Sequence, residues 1–74
     1  MSVYRDEKVI KAFGNNLKKI RESKDLTQED LAEKANLAVS TIGRIETGSF
    51  NSTISTIALL AKALNIDKQE LLNF

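Results

Sequence analysis

The chain contains no cysteine, histidine, proline or tryptophan. Without thiols or imidazoles there is no disulfide framework, thiol nucleophile, zinc-finger site or imidazole base. A charge excess of either sign is also lacking: eleven Lys and Arg stand against ten Asp and Glu, a net +1. No basic block stands out, because residues 1–36 hold eight bases and seven acids and the remainder holds three of each. Four aromatic residues, Tyr4, Phe13, Phe50 and Phe74, lie too far apart to form a stacking platform for single strands. The longest apolar run, Ile57 to Ala61, is far short of the roughly 18 residues of a membrane span. No signal-peptide pattern occupies the N-terminus, so the expectation is a soluble, cytoplasmic protein with no membrane association, no metal and no cofactor.

What remains is 74 residues, 42% of them hydrophobic, enough for one small domain (1–74) held together by packing alone. Hydrophobic period and capping residues segment it. From about Asp6 to Lys24, Val9, Ile10, Phe13, Leu17 and Ile20 recur at three- and four-residue steps, one stripe of an amphipathic helix. Gly14 within that stripe costs up to about 1 kcal/mol relative to alanine, so a neighbouring helix is expected to approach closely there.

A second helix should start at Thr27, with Asp30 closing an acidic variant of the capping box and Leu26 and Leu31 as its hydrophobic staple. The same pattern returns at Asp67 and Glu70, stapled by Ile66 and Leu71. Between them, Thr53 or Ser52 caps a helix whose inward face is Ile57, Leu60, Ala61 and Leu64, and Asn65 ends it in the left-handed conformation. The segment Leu37 to Thr47 has Leu37, Ile42 and Ile45 at buried spacing and is closed by Gly48; Asn36 makes the sharp turn into it. Five short helices are expected, with no strand and no internal repeat. Residues 1–5 are a candidate flexible arm, in which Val3 and Tyr4 could pack against the domain.

Thr27-Gln28-Glu29-Asp30-Leu31-Ala32-Glu33-Lys34-Ala35-Asn36-Leu37, followed by Ser40-Thr41-Ile42-Gly43-Arg44-Ile45-Glu46-Thr47-Gly48, resembles the helix-turn-helix of the Cro/CI repressor (XRE, lambda-repressor-like) family. The likeness begins at Leu17-Lys18-Lys19-Ile20-Arg21 and continues to Glu70-Leu71-Leu72, about 60 of the 74 residues. It implies an all-α, compact five-helix DNA-binding domain with the motif at about 27–47, and a transcriptional regulator specific for a sequence in double-stranded DNA. Residues 38–47 would lie in the major groove, while the helix from Thr27 crosses the backbone.

If Ile42 and Ile45 face the core, Val39, Ser40, Gly43 and Arg44 face away from it, and these match the family's base-contacting positions. Arg44 can fork onto guanine O6 and N7, a contact worth about 1–3 kcal/mol of discrimination, and Val39 suits a thymine methyl. The small Gly43 either fits the helix to a close surface or marks a groove position that tolerates no side chain. The resemblance assigns phosphate contacts to Thr27, Gln28, Thr47, Ser49 and Asn51, and an orienting ion pair to Arg21 and Glu46. The chain departs from the family pattern twice. Neutral residues follow Gly48 where lysine or arginine is common, which implies a modest salt dependence and weak monomer binding. Ala38 stands where a serine-like cap is usual, a loss of about 1 kcal/mol that should fray the first turn of the recognition helix.

Weak monomer binding and small size point to a homodimer on a palindromic operator, with Leu71, Leu72 and Phe74 as the candidate interface. An enzyme is not expected, since every carboxylate falls on an exposed helix face or at a cap. The alternative is a protein-interaction module, antitoxin-like or an adaptor, with DNA binding secondary; Phe50 and Phe74, large and apolar in a loop and at a terminus, are its candidate contacts.

Overall fold

A computed structural model describes residues 5–74. Val3 and Tyr4, and most of the candidate arm, lie outside that range. Arg5, its last residue, pairs with Glu7 at 2.9 Å on the surface. The described residues form five helices: α1 Glu7–Ser23, α2 Gln28–Ala35, α3 Val39–Glu46, α4 Ile54–Leu64 and α5 Lys68–Leu71. The all-α, five-helix order expected from the capping residues is therefore present.

Each boundary has a local cause. Asp6 caps α1 by accepting the Lys8 and Val9 N–H groups. Thr27 and Asp30 form the reciprocal box at α2: the Asp30 N–H donates to the Thr27 hydroxyl at 3.0 Å, and the Thr27 N–H donates to the Asp30 carboxylate at 2.9 Å. That backbone bond holds the Asp30 carboxyl below its ordinary pKa. Thr53, not Ser52, caps α4 by accepting the Thr56 N–H. Asp67 occupies the cap position of α5 in extended conformation, but its side chain makes no capping bond, so the expected box with Glu70 is absent. The C-terminal end of α5 is held from α1: the Asn16 amide donates to the carbonyl oxygens of Glu70 and Leu71, each at 2.9 Å.

Four helices end alike. Asp25, Asn36, Gly48 and Asn65 adopt positive φ, and in each case the following N–H reaches back five residues: Leu26 to Arg21, Leu37 to Ala32, Ser49 to Arg44 and Ile66 to Ala61. This Schellman arrangement satisfies carbonyls that the helix end would orphan. Gly48 is needed twice over, since a β-carbon there would also meet the stem of Lys11.

The core joins Phe13 and Leu17 of α1, Leu31, Ala32 and Ala35 of α2, Ile42 and Ile45 of α3, Leu60, Ala61 and Leu64 of α4, and Leu71 of α5. Helix α3 packs on α1 and α2, α2 packs on α4, and α5 bridges α4 and α1. The approach expected at Gly14 is real: a β-carbon there would collide with the carbonyl group of Ile45, so α1 and α3 meet backbone to backbone. Two expectations about burial need correction. Val9, placed on the buried stripe, is 47% exposed, while the adjacent Ile10 is buried and takes the inward position at this turn. Leu71, proposed for a dimer interface, is fully buried between α5 and the rest of the domain and cannot reach a partner.

Candidate nucleic-acid interface

The chain turns from α2 towards α3 at one left-handed residue, Asn36 (φ 57°, ψ 44°), with no glycine in the turn. Helix α3 buries Ile42, Ile45 and Glu46. Its opposite face carries Val39, Ser40 and Arg44, all exposed, and Gly43, half-buried. A β-carbon on Gly43 would meet only the Gln28 amide oxygen at 3.8 Å, ordinary contact. Packing within the chain therefore gives no reason for a glycine there. Ala38 leaves the start of α3 without a side-chain cap, yet Ala38 keeps the extended conformation of a cap residue (φ −67°, ψ 143°) and the first turn is formed. Ile42 and Ile45 anchor the helix in the core behind that turn.

A buried charge network fixes α3 from behind. Arg21 of α1 donates to both oxygens of Glu46, at 2.7 and 3.0 Å, and a third donor reaches the Leu26 carbonyl at 2.6 Å. The two side chains are only 8% and 3% exposed. The bond to Glu46 holds the guanidinium above its ordinary pKa despite the opposing effect of burial. Gln28 completes the network, donating its amide to Glu46 at 3.0 Å. A single carboxylate thus ties α1, α2 and α3 together. Sequence reasoning found Arg21 and Glu46 and assigned Gln28 to phosphate; the structure adds that one amide N–H of Gln28 is engaged with Glu46. Its amide oxygen lies beside Gly43 on the outer face of α3. The Thr27 hydroxyl accepts the Asp30 N–H as a cap and keeps its own O–H to donate.

After α3 the loop folds back on itself. The hydroxyls of Thr47 and Ser49 both donate to the Arg44 carbonyl at 3.2 Å and lie 3.2 Å from each other. Asn51 follows, exposed. Lys11 of α1 lies against Gly48, bringing a basic side chain to a loop whose own residues are neutral. Nothing in the sequence marked Lys11, because its proximity arises only from the close crossing of α1 and α3. Phe50, considered as a protein contact, is half-buried against the core, and its ring lies under the Arg44 guanidinium, 5.5 Å from centre to centre.

Among the described residues no cluster of acidic side chains could hold a metal, and no helix is long and apolar enough to cross a membrane. A buried frame presenting one short helix, its outer face polar and its only cation an arginine, defines a DNA-binding helix-turn-helix domain. The family model described as "Helix-turn-helix" matches residues 17–71. The chain belongs to this family, the Cro/CI (XRE) type of DNA-binding transcription regulators.

Relatives agree with that assignment. The chain is 45% identical over 53 residues to the immunity repressor protein of Bacillus phage phi105, covering 72% of this chain and 37% of the repressor. It is 41% identical over 60 residues to the control protein C.SmaI of Serratia marcescens, covering 81% of this chain and 71% of that protein. Among solved structures, the restriction-modification controller protein C.Esp1396I, a tetramer in complex with its natural 35 base-pair operator, superposes with a TM-score of 0.84 at 35% identity. That match covers 92% of this chain and 90% of the controller. The chain thus spans little more than a third of the phage repressor and most of the controllers.

Proposed function

We propose that the chain binds a specific sequence in double-stranded DNA as a transcriptional regulator, with α3 in the major groove and a homodimer reading the two halves of a palindromic operator. The observation that carries this reading is the division of α3: Ile42, Ile45 and Glu46 are locked into the domain while Val39, Ser40, Gly43 and Arg44 form a solvent face. Arg44 reads guanine, and Val39 and Ser40 contribute at the helix start. Phosphates are held by the backbone at the start of α2, by Thr47, Ser49 and Asn51, and by Lys11, which supplies charge the loop lacks. One such lysine contact contributes about one unit to the salt slope, which Lys11→Gln should remove without altering sequence preference.

The dimer reading rests on Val9, Leu72 and Phe74, each about half exposed and lining a shallow apolar hollow of about 100 Å³. A partner protomer covers them, with half-sites about 34 Å apart, one helical turn of DNA. Leu72→Ser should shift the protein toward monomer without unfolding it, whereas Leu71→Ala should destabilise the monomer by about 2–5 kcal/mol. A monomeric mass at tens of micromolar, unchanged by DNA, would remove the dimer from this reading.

The central test is selection of genomic fragments by the purified protein, repeated with Arg44→Ala. The expected result is one recurrent inverted-repeat motif whose guanine preference disappears in the variant. Recovery of no motif would transfer support to a protein-interaction role on the same fold.

A further inference from the structure

We propose that Phe50 is a specificity-determining positioning residue: its ring holds the Arg44 guanidinium in place to read a base edge. The proposal rests on the assignment of Arg44 as the base reader.

Arg44 is the only cation on α3, and it is treated unlike Arg21. Arg21 has its donors taken by a carboxylate and a carbonyl. Among the described residues Arg44 has no acidic partner; its charge sits over the Phe50 ring at 5.5 Å. A guanidinium held by the face of a ring need not commit its N–H groups to a protein oxygen, so its planar fork stays available for a bidentate acceptor.

The ring is itself fixed. Phe50 packs against the core and shares the wall of the apolar hollow with Ile10, Phe13 and Ile57. The loop bearing it is pinned at the other end of Arg44, where the Ser49 N–H and the Thr47 and Ser49 hydroxyls all converge on the Arg44 carbonyl. Residues 47–50 therefore grip Arg44 at both its backbone and its charged tip.

An arginine free to rotate must lose that freedom on binding, whereas one already confined loses less. At a solvent-exposed site a cation–π contact of this kind changes an equilibrium by about two- to fivefold. That is the expected contribution of Phe50 to discrimination at the guanine Arg44 contacts. It should add nothing at other base pairs and nothing to the salt slope, since no phosphate is involved.

The experiment uses the DNA duplex recovered by selection, together with versions in which each guanine of a half-site is replaced in turn by 7-deazaguanine, which lacks the N7 acceptor. Wild type, Phe50→Leu, Phe50→Tyr, Arg44→Ala and the Phe50→Leu/Arg44→Ala double variant are compared after thermal melts establish that each is folded. Phe50→Leu should lower discrimination at one guanine about two- to fivefold and leave binding to scrambled duplex unchanged. Phe50→Tyr, which keeps the ring, should restore it, and in the Arg44→Ala background Phe50→Leu should have no effect. Independently of DNA, the Arg44 side-chain protons should show an upfield ring-current shift that Phe50→Leu abolishes and Phe50→Tyr retains.

If Arg44→Ala removes discrimination but Phe50→Leu leaves it intact or improves it, this proposal alone is overturned. Equal effects of Phe50→Leu with and without Arg44 would overturn it as well. If Arg44→Ala leaves discrimination untouched, the assignment of Arg44 as reader has failed and the proposal falls with it.

Discussion

Replacing Glu46 by alanine should come close to unfolding the domain. Arg21 is 8% exposed and donates two short bonds to Glu46. After the substitution its guanidinium keeps only the Leu26 carbonyl, with a distant, exposed Glu22 at 3.9 Å. The Gln28 amide loses its acceptor as well. Breaking one side of a buried ion pair costs about 3–5 kcal/mol, most of it the penalty of leaving the other charge buried and unpaired. For a domain of this size, 1 kcal/mol corresponds to about 4–8 °C in melting temperature, so the midpoint should fall by at least about 12 °C. Urea denaturation followed by circular dichroism gives the free energy directly. The control is Arg21→Met/Glu46→Leu, in which both charges are replaced by apolar groups; it should recover most of the loss, because buried pairs confer little net stability over such replacements. A cost below about 1 kcal/mol for Glu46→Ala would refute the reasoning, since it would mean that water solvates the pair. A double replacement as damaging as the single one would refute it differently, by showing that geometry and not desolvation sets the penalty.

Three further outcomes follow from the packing and the caps. Gly14→Ala should destabilise by about 1–3 kcal/mol or more, because the obstacle is the Ile45 carbonyl group and backbone cannot step aside as a side chain can; a neutral effect in the same urea titration would show that α1 and α3 are not in backbone contact. Ala38→Ser should stabilise by about 1 kcal/mol by supplying the cap that α3 lacks, read as a rise in melting temperature. The Asp30 carboxyl is held below its ordinary value of 3.8 by the Thr27 N–H, so its contribution is present above that pH and lost as the pH falls below it. Stability measured from pH 6 to pH 2 should therefore decline less for Asp30→Asn than for wild type, with the difference appearing at the acid end.

Much of this molecule is local, and local features are legible in a sequence. The helix starts at Thr27 and Thr53 and the left-handed ends at Asn36 and Asn65 involve residues three to five apart, whose side chains meet whatever the rest of the chain does. The same rules did not carry to α5, which is only four residues long: Asp67 makes no cap bond, and the carbonyls at the far end of the helix are bound by Asn16 from more than fifty residues away. Period could place Val9 and Leu71 on apolar faces, but could not say which face the fold would cover.

The solvent-facing set on α3 shows the same division. The alternation of Ile42 and Ile45 with Val39, Ser40, Gly43 and Arg44 settles the two sides of α3 from spacing alone, because a helix repeats every 3.6 residues. What lies behind and beside that helix depended on the tertiary structure. Gln28 meets Glu46 where α2 packs on α3, Lys11 lies on Gly48 where α1 crosses α3, and Phe50 sits beneath Arg44 where the loop folds back on α3. Sequence by itself determined the elements, their caps and the exposed face of the recognition helix. Tertiary structure decided which of those side chains are engaged inside the domain, because contacts between elements, not periods within them, set the partner of each polar group.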